Sequence, residues 1–252
     1  METENSKANI LEKIKMRKWS PLSLLHEKID DLLWLVFPEL CAACGKALLM
    51  NERCICTHCR FHLPRTRFHL LPDNPVVKHF WGKVKIEAAS GYYYFSKGER
   101  VQQLIHQLKY KGRKDVGLLT GELYGYDLLN TAPYSSADIV VPVPLHPKKL
   151  RKRGYNQSDF FAEGIAAAMG IKFGPHVLKK IDETETQTRK HRFERFENVN
   201  KVFAVNQVSA VAGKHVLLVD DVVTTGSTLV SCAEALLEIP GTRVSIGAMA
   251  CA

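Results

Sequence analysis

Apolar residues fall into two kinds of run along this chain, and the difference sorts most of it into elements. Between Pro21 and Pro38, Leu22, Leu25, Ile29, Leu32, Leu33 and Val36 recur at helical spacing and predict an amphipathic helix. Lys83 to Phe95 turns strand-like and ends in the aromatics Tyr92, Tyr93, Tyr94 and Phe95. Ser96 and Glu99 have capping-box spacing, which predicts a helix with Val101, Leu104, Ile105 and Leu108 on its apolar face, closed by Lys109-Tyr110-Lys111-Gly112. A second apolar helix follows from Val116 to Leu129. Asp138 to Pro142 reads as a strand buried on both faces, stopped at Pro142-Val143-Pro144. A helix from Ser158 to Met169, ended by Gly170, leads to further strands near 177 to 181, 215 to 220 and 243 to 250.

Strands separated by helices or long connections predict an α/β fold, with a parallel sheet covered on both faces. Ligands in such sheets gather at the carboxyl ends of the strands, which would bring Pro142 to His146 together with Asp220 to Thr228. Three parts are expected: a flexible tail over 1–20, the amphipathic helix with a cysteine module over 21–80, and the α/β domain over 81–252.

The apolar strand Val216-Leu217-Leu218-Val219 runs into Asp220 and Asp221 and then into Thr224-Thr225-Gly226-Ser227-Thr228. Two carboxylates accept hydrogen bonds from neighbouring ribose hydroxyls, and a Gly-containing, hydroxyl-rich turn offers N–H groups to a phosphate at a helix start. One phosphorylated sugar would satisfy both. The segment lacks the lysine of a Gly-x-x-x-x-Gly-Lys loop, and no Gly-x-Gly-x-x-Gly turn occurs, so nucleoside triphosphate and dinucleotide sites fit poorly. A solvated Asp-Asp turn with Thr224 capping a helix is the plainer alternative.

Cys41-Ala-Ala-Cys44 and Cys56-Thr-His-Cys59 have the spacing of tetrahedral zinc ligands, and Gly45 suits the tight turn after Cys44. Four protein ligands leave no open position, so a structural zinc is expected. Cys54, His58 and His62 leave the exact ligand set open, whereas Cys232 and Cys251 read as small buried side chains.

Lys148, Lys149, Arg151, Lys152 and Arg153 lead into Gly154-Tyr155-Asn156-Gln157-Ser158. They read either as a solvated basic loop with Ser158 as the following cap, or as a site where Arg153, Asn156 and Gln157 meet a diphosphate. Asp182 to Asn200 is polar and lacks apolar periodicity, which suggests a mobile lid carrying Gln187, Arg189, Arg192 and Arg195, or a nucleic-acid contact.

With 252 residues, 46% hydrophobic and 24% charged, the chain can bury a substantial core. No apolar run approaches the ~20 residues that span a bilayer, and the N-terminus has no signal or transit pattern, so a cytoplasmic protein of unassigned oligomeric state is expected. The net charge of +9 favours polyanions without choosing between nucleic acid and a phosphate-rich small molecule.

Residues 215–228 resemble the phosphoribosyl diphosphate signature of type I phosphoribosyltransferases. By that resemblance Asp220 and Asp221 face the ribose 2- and 3-hydroxyls, Thr224, Thr225, Gly226, Ser227 and Thr228 hold the 5-phosphate, and Val143, Asn156 and Gln157 complete the binding set. Taken with the paired cysteines, Leu108-Lys109-Tyr110-Lys111-Gly112, Pro142-Val143-Pro144-Leu145-His146, Arg153-Gly154-Tyr155-Asn156-Gln157-Ser158 and Thr186-Gln187-Thr188, the chain resembles the ComF family from about Leu32 to its end. The resemblance implies a type I phosphoribosyltransferase fold that binds 5-phosphoribosyl-1-diphosphate with magnesium. For some members it implies a role in natural competence, and related proteins are linked to gluconate uptake. Thr224 stands where 6-oxopurine enzymes of the superfamily carry an aspartate base, which disfavours salvage of hypoxanthine or guanine. The leading expectation is a transferase that releases pyrophosphate, with Asp220, Asp221 and Arg153 at the chemistry. Its rivals are an accessory protein of single-stranded DNA uptake and a scaffold that recruits a DNA-processing helicase.

Overall fold

The computed structural model describes residues 37–96, 99–181 and 202–252. Cys41–Ala252 forms one compact unit, and residues 37–40 are the described end of an N-terminal unit, Met1–Leu40. The amphipathic helix expected between Pro21 and Pro38 lies almost wholly outside the described residues.

Five strands make the main sheet: β1 (Ala88–Tyr94), β2 (Ile139–Pro142), β3 (Lys172–Phe173), β6 (His215–Val223) and β7 (Arg243–Cys251). Their order is β1-β7-β6-β2-β3, and every pairing is parallel. Parallel strands need crossovers, and these are supplied by α3 (Arg100–Tyr110), α4 (Lys114–Leu129), α6 (Gln157–Met169) and α7 (Ser227–Leu237), following the short α1 (Thr57–His62) and α2 (Pro75–Lys78) and flanking α5 (Pro147–Arg153). Side chains alternate across β6 and β2. Leu217, Val219 and Val140 join α3, α4 and α6 in one core, while Val216, Leu218, Ile139 and Val141 join α7 in the other.

The strand expected near 177 to 181 forms as β4 (Leu178–Lys180), yet it stands outside the parallel sheet. It pairs antiparallel with β5 (Phe203–Val205). A strand covered on both faces needs nearly continuous apolar sequence, and here Leu178 is buried whereas Lys179 is exposed and Lys180 half-buried. The edge place beside β2 goes to β3. The capping box at Ser96–Glu99 does not form either: α3 starts at Arg100 with Glu99 in the cap position and no capping side chain. The basic run read as a loop is helical from Pro147, and the cap before α6 is Asn156, not Ser158, which lies in the first turn of the helix.

Two helices on one face approach closely because glycines line the contact. A Cβ on Gly121 of α4 would stand 2.2 Å from the Phe161 carbonyl oxygen, and one on Gly164 of α6 would stand 2.2 Å from that of Leu118. A Cβ on Gly117 or on Gly125 would stand 2.8 Å from the Cβ of Phe160 or of Ala168. This contact fixes the height of α6, whose first turn reaches the carboxyl edge of the sheet.

Gly121→Ala is expected to destabilise the protein. Helix propensity would favour alanine by about 1 kcal/mol, but overpacking costs about 1–3 kcal/mol, and the obstacle here is backbone, which cannot rotate aside. A denaturation midpoint at or above that of the wild type would show that α4 and α6 can separate at no cost.

Candidate functional site

Pro142, the last residue of β2, pairs with Val219, while β6 continues to Val223 against β7. Asp220 and Asp221 therefore lie inside β6, on the stretch that β2 leaves uncovered. The chain beyond β2 is pinned at this level, since the N–H of Val143 donates to the Val219 carbonyl at 2.8 Å. This is the crevice position in which open α/β sheets place ligands.

The two carboxylates are held differently. Asp220 Oδ1 accepts from the Ser158 hydroxyl at 2.9 Å and from the N–H of Asp221 at 2.8 Å. Burial, and next to it the charge of Asp221, pushes the Asp220 carboxyl up to about 7, against the opposing effect of the Asp221 N–H, the Ser158 hydroxyl and the Lys109 ammonium. Asp221 is buried, and the Lys109 Nζ, from the last turn of α3, donates to its Oδ1 at 2.9 Å. The same ammonium lies 2.9 Å from Oδ2, which makes no hydrogen bond of its own.

Thr224, Thr225, Ser227 and Thr228 are exposed around a buried Gly226. Gly226 caps α7 with φ 74°, a left-handed conformation that glycine adopts without strain, and no side chain caps the helix. Thr225 Oγ1 lies 3.0 Å from Ser227 Oγ, and the Ser227 N–H points to Thr225 Oγ1 at 3.5 Å. The start of α7 thus offers N–H groups and hydroxyls to solvent, a setting suited to an anion.

The segment from Arg153 to Ser158 joins three elements. Arg153 donates to Gln157 Oε1 and lies over the Tyr110 ring, 5.4 Å from its centroid. Gly154 takes φ 82° to end α5, and the Tyr155 hydroxyl donates to the Leu108 carbonyl. Asn156 Nδ2 donates to the Val143 carbonyl at 3.0 Å and to Asp159 Oδ1 at 2.6 Å, while its buried Oδ1 has no partner. Turning the amide round would set oxygen against oxygen, so this orientation is the favoured one. Expected as a donor to diphosphate, Asn156 spends its N–H groups inside the protein and has an acceptor to spare. Gln157 is buried and engaged with Arg153. Gln187, Arg189, Arg192 and Arg195 lie outside the described residues.

Lys109, Ser158 and Tyr155 were not among the residues expected at the site: Lys109 read as part of a helix end and Ser158 as a helix cap. Their contacts join residues 112, 62 and 47 positions apart, a separation that no local pattern reports.

Cys41, Cys44, Cys56 and Cys59 bring their sulfurs within 4.8 Å of one another. The Cys44 and Cys56 sulfurs are 3.8 Å apart, about the edge of a tetrahedron built on Zn–S bonds of ~2.3 Å. The N–H of Cys56 donates to Cys41 Sγ at 3.3 Å. Burial raises the Cys41 thiol, but backbone N–H groups of Cys56, Cys44 and Ala43 outweigh it and bring the value down to about 7. Cys54 is buried outside this group, and His58 stacks on His62 at 4.2 Å on the exposed side; among the described residues the four cysteines are the group that could hold one metal ion. An all-sulfur donor set suits zinc.

Residues 158–250 match the phosphoribosyl transferase domain family. The DNA utilization protein YhgH of Escherichia coli (strain K12) is 27% identical over 210 residues, covering 82% of this chain and 88% of that protein. Competence protein F of Haemophilus influenzae is 26% identical over 218 residues, covering 84% and 90%. Among solved structures, the glutamine phosphoribosylpyrophosphate amidotransferase of Bacillus subtilis aligns at 24% identity with a TM-score of 0.40, covering 57% of this chain and 30% of that one.

The raised Asp220 pKa sets a pH dependence. Relative to an unfolded carboxyl near 3.8, the protonated form is favoured in the fold, so this contribution is present at low pH and is lost as pH rises through about 7. Asp220→Asn should therefore raise the unfolding temperature of the ligand-free protein more at about pH 8 than at about pH 5. An equal shift at both values would show that the carboxyl titrates normally.

Proposed function

Since the chain belongs to the ComF family of phosphoribosyltransferase-like proteins, we propose that it binds 5-phosphoribosyl-1-diphosphate with magnesium and transfers the phosphoribosyl group to an acceptor, releasing pyrophosphate. The observation that carries this reading is the extension of β6 beyond β2, which leaves Asp220 and Asp221 unpaired by β2 just ahead of a helix start that no side chain caps. The diol would meet the carboxylates, and the 5-phosphate would meet the N–H groups and hydroxyls of Thr224 to Thr228. The donors at the crevice are oxygens, which suit magnesium, and Asp220 and Asp221 would hold it. Bound there, magnesium would neutralise charge on the diphosphate and improve it as a leaving group. The C1–O bond breaks with its electron pair going to pyrophosphate, while a lone pair of the acceptor forms the new bond to C1. Arg153 would stabilise the departing charge. Thr224 cannot serve as a base at neutral pH, so the acceptor must arrive as a competent nucleophile or be deprotonated by another group.

A second reading draws on α5, where Lys148, Lys149, Arg151, Lys152 and Arg153 crowd a seven-residue helix that buries no side chain, near the exposed ring of Tyr110. Cations with an adjacent aromatic suit single-stranded nucleic acid. The names of the relatives, DNA utilization protein and competence protein, accord with a role in handling DNA during competence.

One experiment serves both readings. Calorimetry with the diphosphate sugar and magnesium should show binding that Asp220→Asn/Asp221→Asn abolishes, and unaltered affinity in the double variant would remove the sugar site. Binding of single-stranded DNA that survives in this variant and weakens steeply with salt would favour the accessory role.

We further propose that Cys41, Cys44, Cys56 and Cys59 hold a structural zinc ion. Cys41, Cys56 and Cys59 share a core with Tyr92, Tyr93 and Leu104, so losing the ion should loosen that core. Metal analysis should find about one zinc per chain. Cys59→Ser should reduce that occupancy and lower the unfolding temperature, and full occupancy in this variant would exclude the assigned ligand set.

A further inference from the structure

The sugar site contains an ion pair that its ligand chemistry does not require. Lys109 Nζ sits 2.9 Å from both carboxylate oxygens of Asp221, with the lysine side chain 23% exposed and the aspartate 8%. An ammonium here would compete with a sugar hydroxyl or a cation for the same carboxylate. Oδ2 is enclosed, and the Lys109 ammonium is the charge beside it.

A carboxylate this enclosed is costly without a positive partner, which accounts for the pair in the ligand-free protein. It does not require the pair to persist. The backbone beside Lys109 is anchored by the Tyr155 hydroxyl on the Leu108 carbonyl, and the helix ends at Tyr110, with Lys111 as its cap before Gly112 at φ 72°. The flexible four-carbon stem can then swing while the backbone stays in place. On the neighbouring side, Arg153 lies over the ring of Tyr110, the next residue, so positive charge already gathers there.

We propose that Lys109 is an exchangeable counter-ion: paired with Asp221 in the empty site, it yields that carboxylate to the sugar and re-pairs with the diphosphate. This inference rests on the sugar-binding reading above. It makes Lys109 a specificity-determining residue. A phosphosugar that carries a diphosphate gives the displaced ammonium a new anion, whereas ribose 5-phosphate displaces it without offering one at C1. The pair therefore opposes the monophosphate more than the diphosphate.

Calorimetry of ribose 5-phosphate and of the diphosphate sugar, both with magnesium, tests this on the full chain and two variants. Lys109→Met should bind ribose 5-phosphate about 5-fold or more tightly than wild type and the diphosphate sugar more weakly, so that the preference between them shrinks. Lys109→Arg keeps the charge and grips a carboxylate with two parallel donors, so ribose 5-phosphate should bind it more weakly than wild type. Should Lys109→Met fail to fold, the arginine variant decides alone. A shift of both sugars in the same direction in Lys109→Met, or unchanged ribose 5-phosphate affinity in Lys109→Arg, overturns the exchange. Wild type that binds neither sugar overturns the site itself, and the exchange with it.

Discussion

The extra length of β6 relative to β2 is the constraint on which the site depends. Pairing with β7 holds Asp220 to Val223 in strand geometry, and the end of β2 at Pro142 opens the other side. Had the two strands been equal, the neighbouring backbone would have closed the crevice. Proline, which has no N–H to give a ladder, is a natural place for a strand to end. The crevice is filled in from the flanks by Ser158 at the start of α6 and Lys109 at the end of α3.

Those flanks are placed by close helix contacts. Gly121 and Gly164 let α4 and α6 meet backbone to backbone, and a hydroxyl at the tip of α6 then reaches Asp220. The stretch from Arg153 to Ser158 adds ties to the end of α3 and to the loop after β2. Each residue of the stretch, Gly154 included, is used for a definite contact or backbone angle.

Much of this was legible in the sequence where the signal was local. The apolar runs at 138 to 142, 215 to 219 and 243 to 250 reported central parallel strands, because burial on both faces demands an unbroken apolar sequence. Cysteine spacing reported the cluster, because two short turns suffice to converge four thiols. Long-range partnership was invisible. Nothing near Lys109 announces Asp221, and nothing near Asn156 announces that its N–H groups serve Val143 and Asp159. The strand at 177 to 181 leaves the parallel sheet because Lys179 and Lys180 break its apolar run, a signal that its few apolar residues mask.

The short cationic helix α5 has one more implication. Its exposed cations Lys148, Lys149, Arg151 and Lys152 can be exchanged one at a time with almost no thermodynamic penalty. Selection on surface potential can therefore act on it without disturbing the scaffold beneath.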